Sequence, residues 1–273
     1  MLTDVRAALE AMATEAPLRD GCVRLEQGDS VAHITLDFPA ARNAMTARMM
    51  CQLCEAVQAI AASDVAVIVL DSAEGGAFCA GGHLGDVTEV LTQPGMGRQM
   101  ARAMSAVLDA LGALPAVSIS AVEGAAIGGG AEIAISTDFR VFGSGASLHF
   151  VHTRLGVVPG WGGGGRLVDL LGRRVALRLL CDAASIDASE CARLGLADEV
   201  VDEGGASAKA RAWAGELVRR PEAVRAAKRV VLARGRRAET ARNLESHAFA
   251  EVWGGPAHVQ ALQKVLTRSR GRG

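Results

Sequence analysis

Two glycine-rich stretches, Phe78-Cys79-Ala80-Gly81-Gly82-His83 and Gly124-Ala125-Ala126-Ile127-Gly128-Gly129-Gly130-Ala131-Glu132, each follow a short apolar run and each lead into a helical pattern. Glycine lets a backbone approach a ligand with no Cβ in the way. The first N–H groups of a helix lack partners inside it and sit at its positive end. Two such loops facing each other supply two donors to one oxygen, which is an oxyanion hole. A single donor of this kind is worth about 3–4 kcal/mol in acyl transfer. Neither stretch follows the G-x-G-x-x-G order with an acid at ribose distance, and no G-x-x-x-x-G-K-[ST] occurs, which speaks against dinucleotides and nucleoside triphosphates.

The flanking pattern is that of an α/β chain. Cys22 to Glu26 and Ser30 to Asp37 read as a hairpin, and Val65 to Leu70, Ala116 to Val122 and Phe139 to Phe142 as further strands. Met49, Leu53, Ala56, Val57 and Ile60 have helical spacing, and a second helix runs through Leu111 after a break near Pro94 and Gly95. Strand, loop and helix recur, so strands stack as a slab with ligand loops at one set of strand ends. From Arg166 onward the chain reads as almost all helix. The expected organisation is a helical appendage over residues 1–18 (Val5, Leu9, Met12), a core over 19–205 and a helical region over 206–273.

Composition narrows the function classes. Half the residues are hydrophobic and 22% are charged, an ordinary globular balance. The 29 basic and 30 acidic side chains leave a formal charge of −1, so no global field recommends nucleic acid or a membrane surface as partner. The run Arg219, Arg220, Arg225, Lys228, Arg229, Arg234, Arg236 and Arg237 reads as a solvated helix face. Tyrosine is absent and the three lysines are Lys209, Lys228 and Lys264, which removes a tyrosine general acid and any Schiff-base lysine in the first half. Six scattered cysteines suit reduced thiols of a cytoplasmic protein. Cys51 and Cys54 form a C-x-x-C inside a helical pattern with no second ligand pair, so they read as core residues, and no metal site is expected. No apolar run reaches the roughly 18–20 residues of a membrane span.

At this level the chain resembles the crotonase, or enoyl-CoA hydratase/isomerase, superfamily from about Cys22 to Leu266. Pro39 to Met45 is similar to its coenzyme A loop, Ala77 to Leu84 to its first oxyanion loop, and Gly128 to Asp138 to its second. Val157-Val158-Pro159-Gly160-Trp161-Gly162-Gly163 resembles its proline-glycine turn. The resemblance implies a spiral of β-β-α turns with a helical C-terminal trimerisation region, forming homotrimers or hexamers. It implies that the N–H groups of Gly82 and Gly129 are the oxyanion donors and that Ala41, Arg42 and Ala80 line the coenzyme A path. Coenzyme A then belongs to the substrate, and no separate cofactor is expected.

Glu132 occupies the superfamily's first catalytic glutamate position. The second, seven residues before the turn proline in hydratases, is His152 here. A two-carboxylate site holds one acid protonated beside an ionised one, whereas an imidazole titrates near neutrality, so this departure counts against simple hydration. Phe150 to Gly156, Trp161 and Val252 to Ala257 resemble the branch of the superfamily that decarboxylates ethylmalonyl-CoA. The implied activity is decarboxylation of a short 2-alkylmalonyl-CoA such as ethylmalonyl- or methylmalonyl-CoA, with hydratase or isomerase activity as the alternative and a non-catalytic acyl-CoA or RNA binder behind it. Glu132 is expected to be the acid that returns the proton to C2, with His152 orienting the carboxylate or relaying the proton; the reverse assignment is the alternative. His83 replaces a frequent aspartate and either contacts substrate or caps the next helix. Trp161 serves as pocket wall or as interface. Arg42, Lys228 and the tail residues Lys264, Arg268, Arg270 and Arg272 are the candidates for the phosphorylated end of coenzyme A.

Overall fold

A computed structural model describes residues 2–17, 19–86, 88, 93–232, 249–250 and 253–270, excepting the side chains at 256, 257, 261, 265 and 268–270. Arg234, Arg236, Arg237, Val252 and Arg272, and the side chains of Arg268 and Arg270, therefore lie outside the described part.

Helix α1 (Leu2–Glu15) precedes an antiparallel hairpin, β1 (Cys22–Gln27) and β2 (Val31–Asp37), which pairs Cys22 with Asp37 and Gln27 with Ala32. The segment after β2 contains one 3-10 turn (Pro39–Ala41) and leads to α2 (Ala47–Ala61). Thr46 starts α2 by accepting the Met49 N–H at 3.1 Å, an N-cap that satisfies one of the helix's open donors. Next come β3 (Val67–Ser72), β4 (Ala77–Cys79), the single turn α3 (Leu84–Asp86) and α4 (Met96–Ala113). After them β5 (Val117–Val122), β6 (Ala125–Ile127) and α5 (Gly129–Ala134) repeat the pattern, and β7 (Phe139–Gly143) and β8 (Ser147–His149) repeat it again.

These repeats generate two sheets. The larger has the order β1-β2-β3-β5-β7 followed by β10 (Glu199–Val201), parallel except for the β1–β2 hairpin, and the smaller has the order β4-β6-β8 followed by β9 (Ser185–Asp187). Each of the pairs β3–β4, β5–β6 and β7–β8 puts its first strand in the large sheet and its second in the small one. The chain thus climbs as a spiral, with the glycine-rich loops at the point where it leaves a small-sheet strand. The first four residues of β3, Val67 to Leu70, are all apolar because both faces are covered: Ile68 and Leu70 point into the main core, while Val67 and Val69 point into a second cluster. That second cluster is closed by Ala206, Ala210 and Ala214 of α8 (Ala206–Leu217). On the other side α1 lies on α2 and α4, and its Leu9 and Met12 are fully buried in the main core.

One expectation needs completing and one needs correction. Among the described residues the chain beyond Arg166 is mostly helix, as expected, but it also contains two short strands. After α6 (Gly163–Cys181) the strand β9 (Ser185–Asp187) closes one edge of the small sheet, and after α7 (Ala188–Leu194) the strand β10 (Glu199–Val201) closes the large one. Three residues carry too little period-2 signal to be read from sequence, and they become strands because an open edge is waiting for them. Lys228, on α9 (Pro221–Leu232), is not on a solvated face. It is 6% exposed, and its Nζ donates to the Ala116 carbonyl and to Asp138 Oδ2, both at 2.7 Å. Asp138 also accepts from the Ser118 N–H and hydroxyl, so this contact clips α9 to the start of β5. Burial pushes the Lys228 pKa down, and the nearby Asp138 opposes it.

All six cysteines are free. Burial pushes the thiols of Cys51 and Cys54 up to about 11 and those of Cys79 and Cys191 up to about 12. Labelling with a thiol-specific disulfide reagent at pH 8 should modify exposed Cys181 first and half-buried Cys22 more slowly. The other four should react only in denaturant, and rapid native labelling of all six would contradict this packing. Lys228→Ala leaves Asp138 without its cation and should lower stability by about 2–4 kcal/mol in urea titration.

Candidate active site

The two glycine-rich loops meet at the C-terminal ends of β4 and β6. The first is stitched to the segment before α2: Met45 N–H donates to the Gly81 carbonyl (2.7 Å), His83 N–H to the Met45 carbonyl (2.9 Å) and Ala80 N–H to the Arg42 carbonyl (3.0 Å). In that ladder the bonds go to Gly81 and from His83, so the N–H of Gly82 itself has no protein partner among the described residues. Gly129 is the first residue of α5, where an N–H has no carbonyl a turn behind it. Both glycines line a cavity of ≈ 140 Å³. The two expected oxyanion donors therefore face one space.

The cavity wall is mostly apolar, including Met100, Val151, Leu155, Val157, Trp161 and Phe249. Trp161 is 4% exposed and is a pocket wall. A Cβ on Gly129 would lie 2.3 Å from its ring, so glycine there serves close approach as well as the loop turn. Among the described lining residues only Glu132, His152 and His258 carry ionisable side chains.

Glu132 is 2% exposed, and its carboxylate is the hub of the site. Oε2 accepts the N–H groups of Trp161 and Gly163, both at 2.8 Å, and Oε1 accepts the Gly160 N–H at 3.3 Å. His152 Nε2 approaches Oε1 at 3.2 Å. The proline-glycine turn and the N-terminus of α6 thus wrap one carboxylate, where open N–H groups and the helix dipole both favour negative charge. Gly163 must lack a side chain, because a Cβ there would sit 2.5 Å from Glu132 Cγ. With Nε2 donating to Glu132, the buried Nδ1 of His152 is left without a hydrogen-bond partner among the described residues.

The remaining expected site residues fall into two groups. Ala80 lines the cavity, and the Ala80–Arg42 bond places Ala41 and exposed Arg42 beside its rim. Asn43, fully buried, holds that rim by donating to the Ala73 and Ala77 carbonyls and accepting from the Phe38 N–H. His83 and Lys228 are not among the lining residues. His83 turns to Asp86, 3.2 Å from Nδ1, and stacks on Phe38; Asp86 also accepts from Arg19 and from the Ala47 N–H at the start of α2. Missing from the sequence expectations are Phe249, Trp253 and His258, which close the cavity from the C-terminal region. Trp253 was visible as part of a motif, and His258 follows that motif by one residue.

One group of side chains has metal-ligand spacing among the described residues, Glu10, Cys51 and Glu55 within 4.8 Å of one another. The guanidinium of Arg6 bonds both glutamates, at 2.7 and 2.9 Å, and supplies the positive charge at that point. Among the described residues no helix is long and apolar enough to cross a membrane.

Residues 26–264 match the enoyl-CoA hydratase/isomerase family. Among curated relatives, the ethylmalonyl-CoA decarboxylase of Xenopus laevis is 36% identical over 255 residues, covering 91% of this chain and 85% of the relative. That of Danio rerio is 38% identical over 251 residues, covering 89% and 83%. Among solved structures, an enoyl-CoA hydratase/isomerase from Mycobacterium paratuberculosis superimposes with a TM-score of 0.82 at 23% identity, covering 89% of this chain and 97% of its own. An enoyl-CoA hydratase/isomerase family protein from Hyphomonas neptunium gives 0.72 at 31% identity, covering 77% and 80%.

Glu132→Ala strips the acceptor from three buried N–H groups and should cost about 2–4 kcal/mol of stability. Glu132→Gln keeps one acceptor oxygen and should cost less. Equal unfolding midpoints for wild type and Glu132→Ala would show that the carboxylate does not organise the turn.

Proposed function

The chain belongs to the enoyl-CoA hydratase/isomerase family, and on that premise we propose that it decarboxylates a short 2-alkylmalonyl-CoA, such as ethylmalonyl- or methylmalonyl-CoA, through an enolate. The observation that carries this reading is the pairing of Glu132 with His152, where hydration would use two carboxylates, in an apolar cavity containing two free backbone donors. The names of the relatives agree with it.

In the proposed reaction the thioester oxygen lies between the N–H groups of Gly82 and Gly129. The bond from C2 to the free carboxylate breaks, carbon dioxide leaves, and the electron pair stays on C2 as the enolate. Both donors strengthen as charge builds on the oxygen, which is where binding contributes to rate. The surrounding apolar wall withholds water from the departing carboxylate. His152, which lines the cavity, then gives C2 a proton and recovers one from solvent. Glu132 orients the ring through Nε2 and offsets its positive charge, while its own oxygens remain occupied by the turn. All groups in this scheme are protein groups, and coenzyme A enters as part of the substrate along the rim at Ala41, Arg42 and Ala80.

A space of ≈ 140 Å³ suits a short alkyl branch, since a cavity of about 150 Å³ holds one benzene-sized group. We propose further that residues 19–205 carry the acyl-CoA site while residues 206–273 serve assembly into trimers or hexamers as well as closing the cavity. Val230 and Val231 of α9, 71% and 72% exposed, support an interface there. Six free thiols support a cytoplasmic location.

The test is a mass-spectrometric time course with methylmalonyl-, ethylmalonyl-, malonyl- and crotonyl-CoA. Loss of one carbon dioxide from the 2-alkylmalonyl substrates is expected, slowed about 100-fold or more by His152→Ala. Addition of water to crotonyl-CoA, with the malonyl compounds untouched, would overturn the decarboxylase in favour of a hydratase.

A further inference from the structure

The third ionisable residue of the cavity has no role in the scheme above. His258 is 2% exposed and sits in the first turn of α10 (Pro256–Arg270), three residues after Gly255. The segment before it is built to start a helix: Gly254 takes a φ of 74°, which favours glycine, and Pro256 opens the helix where its missing N–H costs nothing. The His258 side chain reaches back so that Nδ1 accepts the Gly254 N–H at 2.8 Å, much as a capping-box glutamate does. The ring packs on Trp253 with centroids 4.5 Å apart, and Trp253 stacks on Phe249 at 4.7 Å.

This hydrogen bond decides the tautomer. An Nδ1 that accepts leaves the proton on Nε2, so the neutral ring presents one N–H donor. Nε2 has no hydrogen-bond partner among the described residues, and the ring is part of the cavity wall. Burial pushes the imidazole pKa below its ordinary value and so favours the uncharged donor. The other two ionisable groups are already engaged with each other, and the oxygens of Glu132 would repel an incoming anion. A substrate that brings a free carboxylate into this space needs a donor, and His258 has one unspent.

We propose that His258 Nε2–H binds the free carboxylate of the 2-alkylmalonyl thioester and so selects carboxylated over uncarboxylated acyl groups, an inference that rests on the decarboxylase reading. A neutral donor suits the step. It fixes the carboxylate's orientation without the strong charge pairing that would stabilise the anion against loss of carbon dioxide.

The experiment compares wild type, His258→Phe and His258→Gln, all full-length, using kcat/KM for ethylmalonyl-CoA and the inhibition constant of butyryl-CoA, which has the same acyl group without the carboxylate. His258→Phe should lose about tenfold to 100-fold in kcat/KM, the value of one hydrogen bond to a charged group, while butyryl-CoA inhibition stays within about twofold. His258→Gln keeps an N–H near the Nε2 position and should recover most of the loss. His258→Leu replaces the phenylalanine variant if thermal melting shows that variant to be unfolded. A parallel loss for both ligands, the mark of a helix cap alone, or an unchanged kcat/KM, would overturn the assignment while leaving the decarboxylase in place. Wild-type protein that releases no carbon dioxide from ethylmalonyl-CoA would overturn both.

Discussion

The site depends on a buried carboxylate held by backbone. Burying an ion costs several kcal/mol unless its lone pairs are met, and Glu132 meets that cost with three N–H groups from one turn and one imidazole nitrogen. The consequences run in both directions. The turn from Gly160 to Gly163 takes its shape around the carboxylate, so α6 starts where it does and Trp161 is placed against Gly129. The carboxylate in turn holds His152 through Nε2 at 3.2 Å and so fixes the ring in the cavity wall. Positioning and electrostatics thus share one group: both oxygens of a residue that reads as an acid in sequence are occupied by the turn and the imidazole.

Around this hub the fold works by alternation between two sheets. A long strand buried on both faces supplies rigidity, and the first two of the short strands that follow lead into the glycine loops, where the N–H groups of Gly82 and Gly129 have no protein partner among the described residues. Repeating that unit brings Gly82 and Gly129, far apart in sequence, to one cavity. The C-terminal region then caps the cavity with Phe249, Trp253 and His258. An apolar lid over two donors and a histidine–carboxylate pair is an arrangement suited to stabilising a transient enolate, because each electrostatic contact is stronger where water is scarce.

Much of the frame was legible from sequence. The hairpin, the α2 helix with its Met49–Ile60 stripe and the strands at 67–72, 117–122 and 139–143 follow from hydrophobic period and turn residues. Gly82, Gly129, Glu132 and His152 were legible as candidates from residue type and order, and the structure brings all four to one cavity. Less legible were β4, β6, β8, β9 and β10, each only three residues long and made a strand by the neighbouring edge that pairs with it. Lys228 misled for a related reason: a basic residue among other basic residues on a helix reads as solvated, and only the packing of α9 on β5 turns it toward Asp138.

By itself the sequence determined an α/β chain with two donor-bearing glycine loops, a glutamate beside the second, and a histidine where a second acid would stand. These are local facts, set by backbone freedom, side-chain chemistry and spacing. What each group does was decided by tertiary structure. Whether Glu132 donates or frames depends on which N–H groups surround it, and those come from a turn 28 to 31 residues further on. Whether His83 or His258 lines the cavity depends on where its partners hold it: His83 turns to Asp86, while Gly254 occupies only one nitrogen of His258, whose ring is part of the wall. A polar group's role follows from the partners left to it after folding, and that remainder is a property of the assembled neighbours.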